Sequence, residues 1–285
     1  MADQSSQDTW TDNPLISQEV MKRITGGVNK FWLNWLLEDY LAQPLDHVLS
    51  VGCGTGDHEI IAVKTGLVKK IDAFDASPRS IAVAKVKSST LEEGKINFVV
   101  STFEQYVTES QSTKHYDGVF CFGALHHVYD LESMVHKLYV VMNPEGYLLF
   151  NEYVGPCYTI YPEKQVELVN GLLSCIDPSF RVIPDVLYTN PSFEQVLNHD
   201  PTEAVRSALI LPTLKMWFDV TMVRPFGGSI LHALYSKLNH TRMSDNSPET
   251  VSIIRLLLEI EKILVFHMGN MTSDFCVGVC RPKIR

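Results

Sequence analysis

Short apolar runs alternate with amphipathic segments through the middle of the chain. The runs have the length of buried strands, and the stretches between them have helical spacing of apolar residues. One such helix is predicted from Leu131 to Met142 and ends at Asn143-Pro144. This alternation predicts an α/β fold with a doubly wound, Rossmann-like parallel sheet. The predicted strands lie near 47–51, 71–75, 96–100, 117–122 and 146–153.

The segment before this core predicts helices behind a loose tail. Residues 1–14 are largely polar, whereas 15–42 have helical spacing that is interrupted at Gly26-Gly27. An aromatic and apolar stripe on the second helix is compatible with packing in a core or with covering a bound cofactor as a lid. The stripe consists of Phe31, Trp32, Trp35, Leu36 and Tyr40.

The pattern changes again beyond Gly155. Residues 156–215 are helical pieces punctuated by prolines, and an amphipathic helix is predicted to begin at Ser247-Pro248. Two further apolar runs, 217–224 and 274–281, predict two more strands. The predicted domains are an N-terminal tail and helical lid (1–45), a Rossmann-like core (46–154), and a helical substrate cap that also carries the last two strands (155–285).

A glycine-rich turn directly follows the first predicted strand. It has the form Gly-x-Gly-x-Gly, from Gly52 to Gly56, before a helix that includes Glu59. Glycine lets the backbone turn tightly and lets a ligand approach closely. A dinucleotide-binding turn needs Gly-x-Gly-x-x-Gly facing a pyrophosphate, whereas here Asp57 stands where the last glycine would be. Because a carboxylate repels pyrophosphate and suits a cationic ligand, the turn favours S-adenosylmethionine (SAM) over NAD.

A second candidate binding residue, Asp75, ends the next predicted strand. Its distance along the chain from the glycine turn is about that at which an acid reaches ribose hydroxyls in βαβ units. Ser77 followed by Pro78 predicts the N-cap and first turn of another helix. The combination is more specific than the glycines alone, and it predicts that the Asp75 carboxylate accepts hydrogen bonds from a ribose.

These motifs resemble those of the class I SAM-dependent methyltransferases, and above all their small-molecule branch. That branch commonly has Val-Leu-Asp-x-Gly-Cys-Gly-Thr-Gly where this chain has Val48 to Gly56. The resemblance continues through Tyr116 to Val128 and through Met142 to Phe150, similar to the fourth strand and to the segment before the fifth. It covers residues 46–154, and it implies that the last two strands are an antiparallel pair. Ser50 departs from the family because it replaces an acid, which removes a negative charge near the methionine end of the cofactor.

The resemblance also implies where the cofactor binds. In an open α/β sheet, ligands lie at the carboxyl ends of the strands. Family members contact adenine after the third strand, where this chain has Thr102 in place of a common acid, and Phe103, whose alternative role is core packing. The predicted cofactor-binding residues are Gly52, Cys53, Gly54, Gly56, Asp57, Asp75, Ala76, Thr102, Phe103 and Phe122.

Residues at the ends of the fourth and fifth strands are the candidates for catalysis. His126 and His127 are candidate general bases, since imidazole titrates near neutral pH. The alternative, as in the Leu-His-His of family members, is a ring packed beside the cofactor or the sheet. Glu152 and Tyr153 are predicted to face the same cleft, where a carboxylate can orient or deprotonate an acceptor. The predicted catalytic residues are therefore His127, Glu152 and Tyr153.

The end of the fourth strand also excludes two kinds of methyltransferase. Enzymes that methylate amino groups of bases or glutamines often have Asn/Asp-Pro-Pro-Tyr there, and metal-dependent catechol methyltransferases need a carboxylate. This chain has Phe122-Gly123-Ala124-Leu125 instead. The resemblance therefore implies a metal-independent enzyme, with no metal ligands predicted.

Composition and charge narrow the partners and the compartment. The net charge of -9 and the absence of a compact Lys/Arg cluster argue against binding to nucleic acid or anionic membranes. With 45% hydrophobic residues, the chain can bury a sizeable core. The polar first residues are unlike a signal peptide, and six scattered cysteines without Cys-x-x-Cys predict reduced thiols in a cytoplasmic protein. A homo-oligomer is compatible with the sequence, which does not determine the oligomeric state.

The function predicted from these features is methyl transfer from SAM to a small molecule. The first hypothesis is an oxygen acceptor in secondary-metabolite or glycan-precursor biosynthesis. Carbon, nitrogen or sulfur acceptors are the close alternative, and a non-catalytic SAM-binding interaction protein is the alternative from another class. The sequence does not determine the acceptor or the regiochemistry, because cofactor sites are shared while acceptor pockets differ.

Overall fold

The computed structural model describes residues 9–110 and 115–284. Seven strands form one sheet with the order β3-β2-β1-β4-β5-β7-β6. Their bounds are Leu45–Val51 (β1), Val68–Asp75 (β2), Ile96–Val100 (β3), Tyr116–Phe122 (β4), Met142–Tyr153 (β5), Phe218–Gly227 (β6) and Phe275–Pro282 (β7). All seven strands were predicted, and the α/β fold class is confirmed.

The first five strands pair in parallel, as the sequence predicts. β1 pairs with both β2 and β4, β2 pairs with β3, and β4 pairs with β5. The strand order therefore reverses at β1, and ligands of doubly wound sheets bind beside the carboxyl ends of the strands at such a point. β5 begins earlier than predicted, because Met142 already pairs with Tyr116 ahead of a register shift.

The described residues contain twelve α-helices, two of which precede β1. Residue choice at their ends explains several of the boundaries: Gly26 ends α1 in the left-handed conformation, and the Ser77 hydroxyl caps α4. The helices are Pro14–Thr25 (α1), Trp32–Tyr40 (α2), Asp57–Lys64 (α3), Pro78–Lys87 (α4), Phe103–Ser110 (α5), Leu131–Val141 (α6), Glu163–Cys175 (α7), Phe193–His199 (α8), Ile210–Trp217 (α9), Leu231–Tyr235 (α10), His240–Met243 (α11) and Pro248–Lys262 (α12).

The chain divides into two compact units. The larger unit comprises Lys30–Tyr153, Val205–Arg224 and Cys276–Arg285, and it contains the parallel strands and the glycine turn. Its core is built from fully buried apolar side chains on β1, β2, β4 and β5, which is typical of a sheet covered on both faces. Among them are Leu49, Phe74, Phe120 and Phe150.

The smaller unit comprises Met1–Asn29, Val154–Ala204 and Pro225–Phe275. Its buried ion pair joins Arg23 Nη1 to Glu261 Oε2 at 2.8 Å, while Glu261 Oε1 accepts hydrogen bonds from three backbone amides ahead of and within α10. Each unit collects separate stretches of the chain, whereas the domains predicted from the sequence follow chain order.

The predicted loose tail is wrong for residues 10–14. Trp10–Asp12 form a 3₁₀ turn, Trp10 is buried against Phe275, and α1 already begins at Pro14. Residues 1–8 of the predicted tail lie outside the described residues. Across the described ranges, no helix combines the length and the apolar character needed to span a membrane.

Candidate functional site

The glycine turn after β1 is held against the loop after β4. Gly52 has φ +62°, and a Cβ at this residue would lie 2.8 Å from Cβ of Ala124. Glycine is therefore required here both by the backbone conformation and by the close approach. Cys53 continues the turn by donating its amide to the Phe74 carbonyl at 3.0 Å, and burial raises the pKa of its thiol. Cys53 thus stays a neutral part of the turn.

Asp75 connects the glycine turn to the start of α4. One carboxylate oxygen accepts the Gly54 amide at 2.9 Å, and the other accepts the Ser77 amide at 2.8 Å. A carboxylate has about four lone-pair positions, so two such bonds leave capacity for further donors. The predicted binding residues Gly54 and Asp75 are therefore adjacent, and a ribose diol would find both oxygens oriented by backbone amides.

The backbone at Gly54 faces open space. Gly54 has φ +53°, and a Cβ built at this position meets no described atom within 4 Å. The turn therefore presents an open backbone face between Gly52 and Gly56. Ala76, directly after Asp75, is exposed on the neighbouring loop.

The Asp57 carboxylate, predicted to favour a cationic ligand, has a cation of its own. Lys87 Nζ lies 2.7 Å from Oδ2 and 2.9 Å from Oδ1, and the Thr55 hydroxyl donates to Oδ2 at 2.7 Å. Burial alone would raise the pKa of Asp57. The hydrogen bonds from Lys87 and Thr55 outweigh burial and hold this pKa below its ordinary value. The side chain is 59% exposed, so its charge is screened by solvent as well as by Lys87.

Ser50, the residue that departs from the family pattern, lies beside a buried acid. Its hydroxyl donates to Oε1 of Glu59 at 2.6 Å, and both residues are 2% exposed. Burial raises the pKa of Glu59 to about 7, against the lowering effect of the Ser50 hydrogen bond. The end of β1 therefore has a carboxylate after all, supplied from α3.

Thr102 and Phe103 lie where β3 leads into α5. The Thr102 hydroxyl accepts the Gln105 amide at 3.3 Å, which makes it a cap of α5. The Phe103 ring packs edge-on against Phe74 with centroids 5.7 Å apart, and it would lie 3.9 Å from a Cβ at Gly52. Phe103 therefore lies beside the glycine turn. It also packs against the buried Phe74, so the alternative role in core packing is compatible with the structure as well.

An aromatic cluster joins α2, α3 and the end of β4. The rings of Trp32, His58 and Phe122 lie between 5.1 and 5.4 Å from one another, all near edge-on. Trp32 is buried, and burial lowers the pKa of His58, which favours its neutral form. The N-terminal stripe thus anchors α2 beside the predicted cofactor residue Phe122.

Glu152 and His126 form a hydrogen-bonded pair at the ends of β5 and β4. Oε2 of Glu152 lies 2.8 Å from His126 Nδ1, while Oε1 accepts the amides of Ala124 and Leu125 at 2.8 Å each. His127 is half-buried, with its ring centroid 4.2 Å from that of His126. Tyr153 is buried at 4% exposure. The structure therefore pairs Glu152 with His126. The predicted catalytic set contains the neighbouring histidine, His127, instead.

Three contacts of the site were missed by sequence reasoning. They are the hydrogen bond of Ser50 to Glu59, the ion pair of Lys87 with Asp57, and the pairing of Glu152 with His126. Each joins two separate elements of the fold. Only the sequence of α3 offered a signal that Glu59 is buried. Its neighbours Ile60 and Ala62 are apolar, and all three residues are buried in the structure. The missed residues are His58, Glu59 and Lys87, whereas His126 was a candidate base that the predicted catalytic set left out.

Comparisons with known proteins agree with this fold. Residues 43–175 match a family model described as a methyltransferase domain. A putative S-adenosylmethionine dependent methyltransferase from Listeria monocytogenes superposes with a TM-score of 0.50 at 16% identity, over 88% of this chain and 97% of that chain. The cyclopropane synthase MmaA2 from Mycobacterium tuberculosis does so with a TM-score of 0.53 at 14% identity, over 88% and 82%. The fold is thus that of the SAM-dependent methyltransferases.

A curated relative matches the part of the chain that carries the glycine turn. The ubiquinone biosynthesis O-methyltransferase of Vibrio campbellii is 31% identical over 125 residues, which are 44% of this chain and 51% of that protein. The chain therefore spans about half the length of the curated relatives it matches. The domain match covers less than half of the chain, and the structural likeness shows a fold shared with a SAM-dependent methyltransferase; the predicted use of SAM is consistent with both.

Proposed function

We propose that this protein transfers the methyl group of SAM to an oxygen atom of a small-molecule acceptor. The observation that carries the proposal is the Asp75 carboxylate, which ties the open glycine turn to α4 inside the matched methyltransferase domain. Asp75 accepts the ribose hydroxyls, and the turn from Gly52 to Gly56 holds the methionine part. Secondary-metabolite or glycan-precursor biosynthesis is the proposed setting.

Methyl transfer needs little from the protein beyond alignment and desolvation. The acceptor oxygen attacks the methyl carbon in line with the departing sulfur; the C–S bond breaks, and sulfur keeps the electron pair as S-adenosylhomocysteine. SAM therefore supplies its own leaving group, and the site contributes a water-poor, oriented environment. The half-buried ring of Phe122 at the end of β4 and the buried ring of Trp32 on α2, which packs against it, suit that task.

The proton of an acceptor hydroxyl needs a destination, and His126 is the proposed base. When Nδ1–H donates to Glu152, the lone pair of the neutral imidazole is on Nε2. As Nε2 takes the proton, the buried Glu152 carboxylate stabilises the resulting imidazolium, as the acid does in a Ser-His-Asp triad. Glu152 thus acts as a positioning residue, because both its oxygens are already engaged within the protein.

His127 and Tyr153, from the predicted catalytic set, are proposed as contacts of the acceptor rather than as bases. A buried tyrosine provides a large apolar surface with one polar atom, which suits an organic acceptor. The oxygen acceptor is favoured by the O-methyltransferase among the relatives and by the His126–Glu152 pair. A carbon, nitrogen or sulfur acceptor is the alternative, as is a protein that binds SAM without catalysis. Metal independence, a cytoplasmic location and the absence of nucleic-acid or membrane partners stay predictions.

Transfer of labelled methyl groups tests this proposal directly. The purified protein is incubated with methyl-labelled SAM and cleared lysate of the organism of origin, and the products are separated by size. We expect label in the low-mass fraction, with one S-adenosylhomocysteine formed for each methyl group transferred. An Asp75→Asn variant is the matched control, because it keeps the shape of the side chain and should lose the label through weaker cofactor binding.

Two other outcomes contradict the proposal in different ways. Label in the protein fraction would replace the small-molecule acceptor with a protein side chain. Absence of label together with tight binding of S-adenosylhomocysteine, repeated across extracts from several growth conditions, would favour the non-catalytic binder. Identification of the labelled compound by mass spectrometry then decides between oxygen and the other acceptor atoms.

A further inference from the structure

A cavity of about 470 Å³ lies within the smaller unit. Its volume is in the range of pockets that bind small organic molecules. Among the described residues, none of those assigned above to the cofactor or to catalysis lines this cavity, so its chemistry depends on a different set of side chains. Its lining combines aromatic and apolar groups with one lysine and two acids, among them Tyr158, Tyr188, Val196, Asp200, Glu203 and Lys237.

Lys237 brings a positive charge to this cavity. The residue is half-buried, its Nζ lies 5.5 Å from the centre of the Tyr188 ring, and no carboxylate in the described part of the chain forms an ion pair with it. Its backbone is fixed, because its amide donates to the Leu234 carbonyl at 2.9 Å and its carbonyl accepts the Val182 amide at 3.0 Å. An aromatic face attracts an ammonium group without neutralising its charge. Lys237 can therefore still pair with a negatively charged ligand.

The two acids of the lining favour a ligand with one negative charge over a ligand with two. Asp200 Oδ1 accepts the Thr202 amide at 2.8 Å and the Thr202 hydroxyl at 2.7 Å, and Glu203 also has an interaction partner within the chain. Both acids add negative charge to the cavity that Lys237 lines. A phosphate monoester carries about −1.5 to −2 at neutral pH, whereas a carboxylate carries −1, so the acids oppose a phosphate more strongly.

The backbone that carries the two tyrosines is held in place. Asn170 accepts the Tyr188 amide at 2.7 Å and donates to the Tyr188 carbonyl at 3.0 Å. Tyr158 and Thr159 have φ +58° and +52°, and the Tyr158 amide donates at 2.8 Å to the carbonyl of Ala204, whose φ is +51°. Left-handed backbone is unfavourable for bulky and β-branched residues, and residues held in this way cluster at sites that clamp ligands. The cavity therefore has rigid aromatic walls.

We propose that this cavity binds a small aromatic monocarboxylate, whose carboxylate pairs with Lys237 and whose ring packs against Tyr158 and Tyr188. The ammonium group gains a charge-assisted hydrogen bond. The tyrosines cover an apolar ring at low entropic cost, because their backbone is already fixed. This ligand site goes beyond the proposed methyl transfer and does not depend on it, since every residue that forms it belongs to the smaller unit.

A purely structural role for Lys237 would give different results. A lysine that only covers the Tyr188 ring stabilises the fold through its apolar stem and a cation–π contact. Its loss would then lower the melting temperature, but it would not distinguish a charged ligand from a neutral one. Only a ligand-binding ammonium group makes the effect of Lys237 depend on the charge of the ligand.

The test compares the binding of three ligands to the full chain by equilibrium dialysis. The ligands are naphthoate, naphthamide and naphthyl phosphate, all substituted at the same position of the ring. We expect naphthoate to bind about 10-fold more tightly than naphthamide, as for one charge-assisted hydrogen bond, and the phosphate to bind no more tightly than naphthoate. Equal affinity for the acid and the amide would overturn the role of Lys237, and tighter binding of the phosphate would overturn the choice of a carboxylate.

Variants of two lysines locate the bound acid. Lys237→Gln should weaken naphthoate about 10-fold and leave naphthamide within about twofold, because only the charged ligand interacts with the ammonium group. Lys237→Arg keeps the charge and should retain most of the affinity. Lys164→Gln is the matched control, because Lys164 is an exposed residue of the same unit that does not line the cavity. This control should leave all three dissociation constants within about twofold.

A variant of the aromatic wall tests the other half of the site. Tyr188→Leu should weaken naphthoate and naphthamide by the same factor, because both rings lose the same aromatic face. Melting temperatures recorded for all variants show that each is folded. Absence of binding of all three ligands to the unchanged protein, or equal losses in Lys164→Gln and Lys237→Gln, would overturn the proposal. A loss in Lys237→Gln that is confined to naphthoate and absent in Lys237→Arg supports it.

Discussion

Oε2 of Glu152 lies 2.8 Å from Nδ1 of His126, and the other oxygen of Glu152 accepts two backbone amides of the loop that carries this histidine. The carboxylate therefore fixes both the imidazole and the backbone that presents it. Such double anchoring holds a ring in one orientation and one tautomer, which is what a general base requires. Its position at the carboxyl ends of β4 and β5 places it at the edge of the sheet where doubly wound proteins bind ligands.

His126→Gln should lower kcat by about 10²- to 10⁴-fold, the usual contribution of a general base. The affinity for S-adenosylhomocysteine should stay within about threefold, because the cofactor is held mainly by the glycine turn and Asp75. Steady-state kinetics and calorimetry measure the two quantities. His127→Gln is the matched control, and a larger kcat loss in that variant would reverse the assignment of the two histidines.

Asp75→Ala should weaken cofactor binding by about 1.5–3 kcal/mol, the value of a lost hydrogen bond to a charged group. This corresponds to roughly a 10- to 150-fold higher dissociation constant for S-adenosylhomocysteine. Part of the loss comes from the Gly54 and Ser77 amides, which would no longer be held by the carboxylate. An unchanged dissociation constant in calorimetry would remove the main cofactor assignment.

Two glycines of the turn should respond differently to alanine. Gly52→Ala adds a Cβ within 2.8 Å of Ala124 and should lower the free energy of unfolding by about 1–3 kcal/mol. In Gly54→Ala the added Cβ meets no other atom, so the ligand-free protein has only the strain of the positive φ. This variant should lose cofactor affinity, because the Cβ projects into the open space beside the turn. Urea unfolding and calorimetry on the same two variants distinguish these effects. Equal affinity for the ligand in Gly54→Ala would show that the cofactor does not approach the turn there.

Buried acids should make the ligand-free protein less stable as the pH rises. Burial raises the pKa of Glu59 and of Asp274 to about 7 each, well above the values of such acids in unfolded chains. Between about pH 4.5 and 7 the folded protein therefore binds more protons than the unfolded chain, so stability is lost as the pH rises through that window. Each group contributes on the order of 3 kcal/mol to the difference.

Urea unfolding at pH 5.5 and pH 8 measures this loss in the two units separately. Glu59→Gln should reduce the pH dependence of the larger unit and Asp274→Asn that of the smaller one. A free energy of unfolding that rises between pH 5.5 and 8 in both units would contradict the raised pKa values.

Removal of divalent metal ions should leave methyl transfer unchanged within about twofold. The end of β4 lacks the carboxylate that metal-dependent catechol methyltransferases need, and SAM already carries its leaving group. The measurement is the initial rate after dialysis against EDTA, compared with the rate after adding back magnesium or zinc. Loss of activity with EDTA and its recovery with one metal would contradict metal independence.

The parallel sheet, the glycine turn and Asp75 were determined by the sequence itself, because each depends on local patterns. Strand and helix periods, a turn that only glycine can adopt, and an acid placed directly after a strand are all visible within a few residues. The helix break at Gly26 and the cap at Ser77 are equally local. Trp10 was misjudged because its burial depends on Phe275, which lies at the other end of the chain.

Only the tertiary structure decided which polar groups meet. Glu59 faces Ser50 because α3 returns its first turn over β1, and Glu152 meets His126 because β4 and β5 pair in parallel and end together. Lys87 reaches Asp57 from the end of α4. Hydrogen bonds and ion pairs depend on distances of a few ångströms between separate elements, and residue patterns along a chain do not encode those distances. The sequence therefore predicted the class of cofactor site, while packing determined which carboxylates, hydroxyls and imidazoles meet at the ends of the strands.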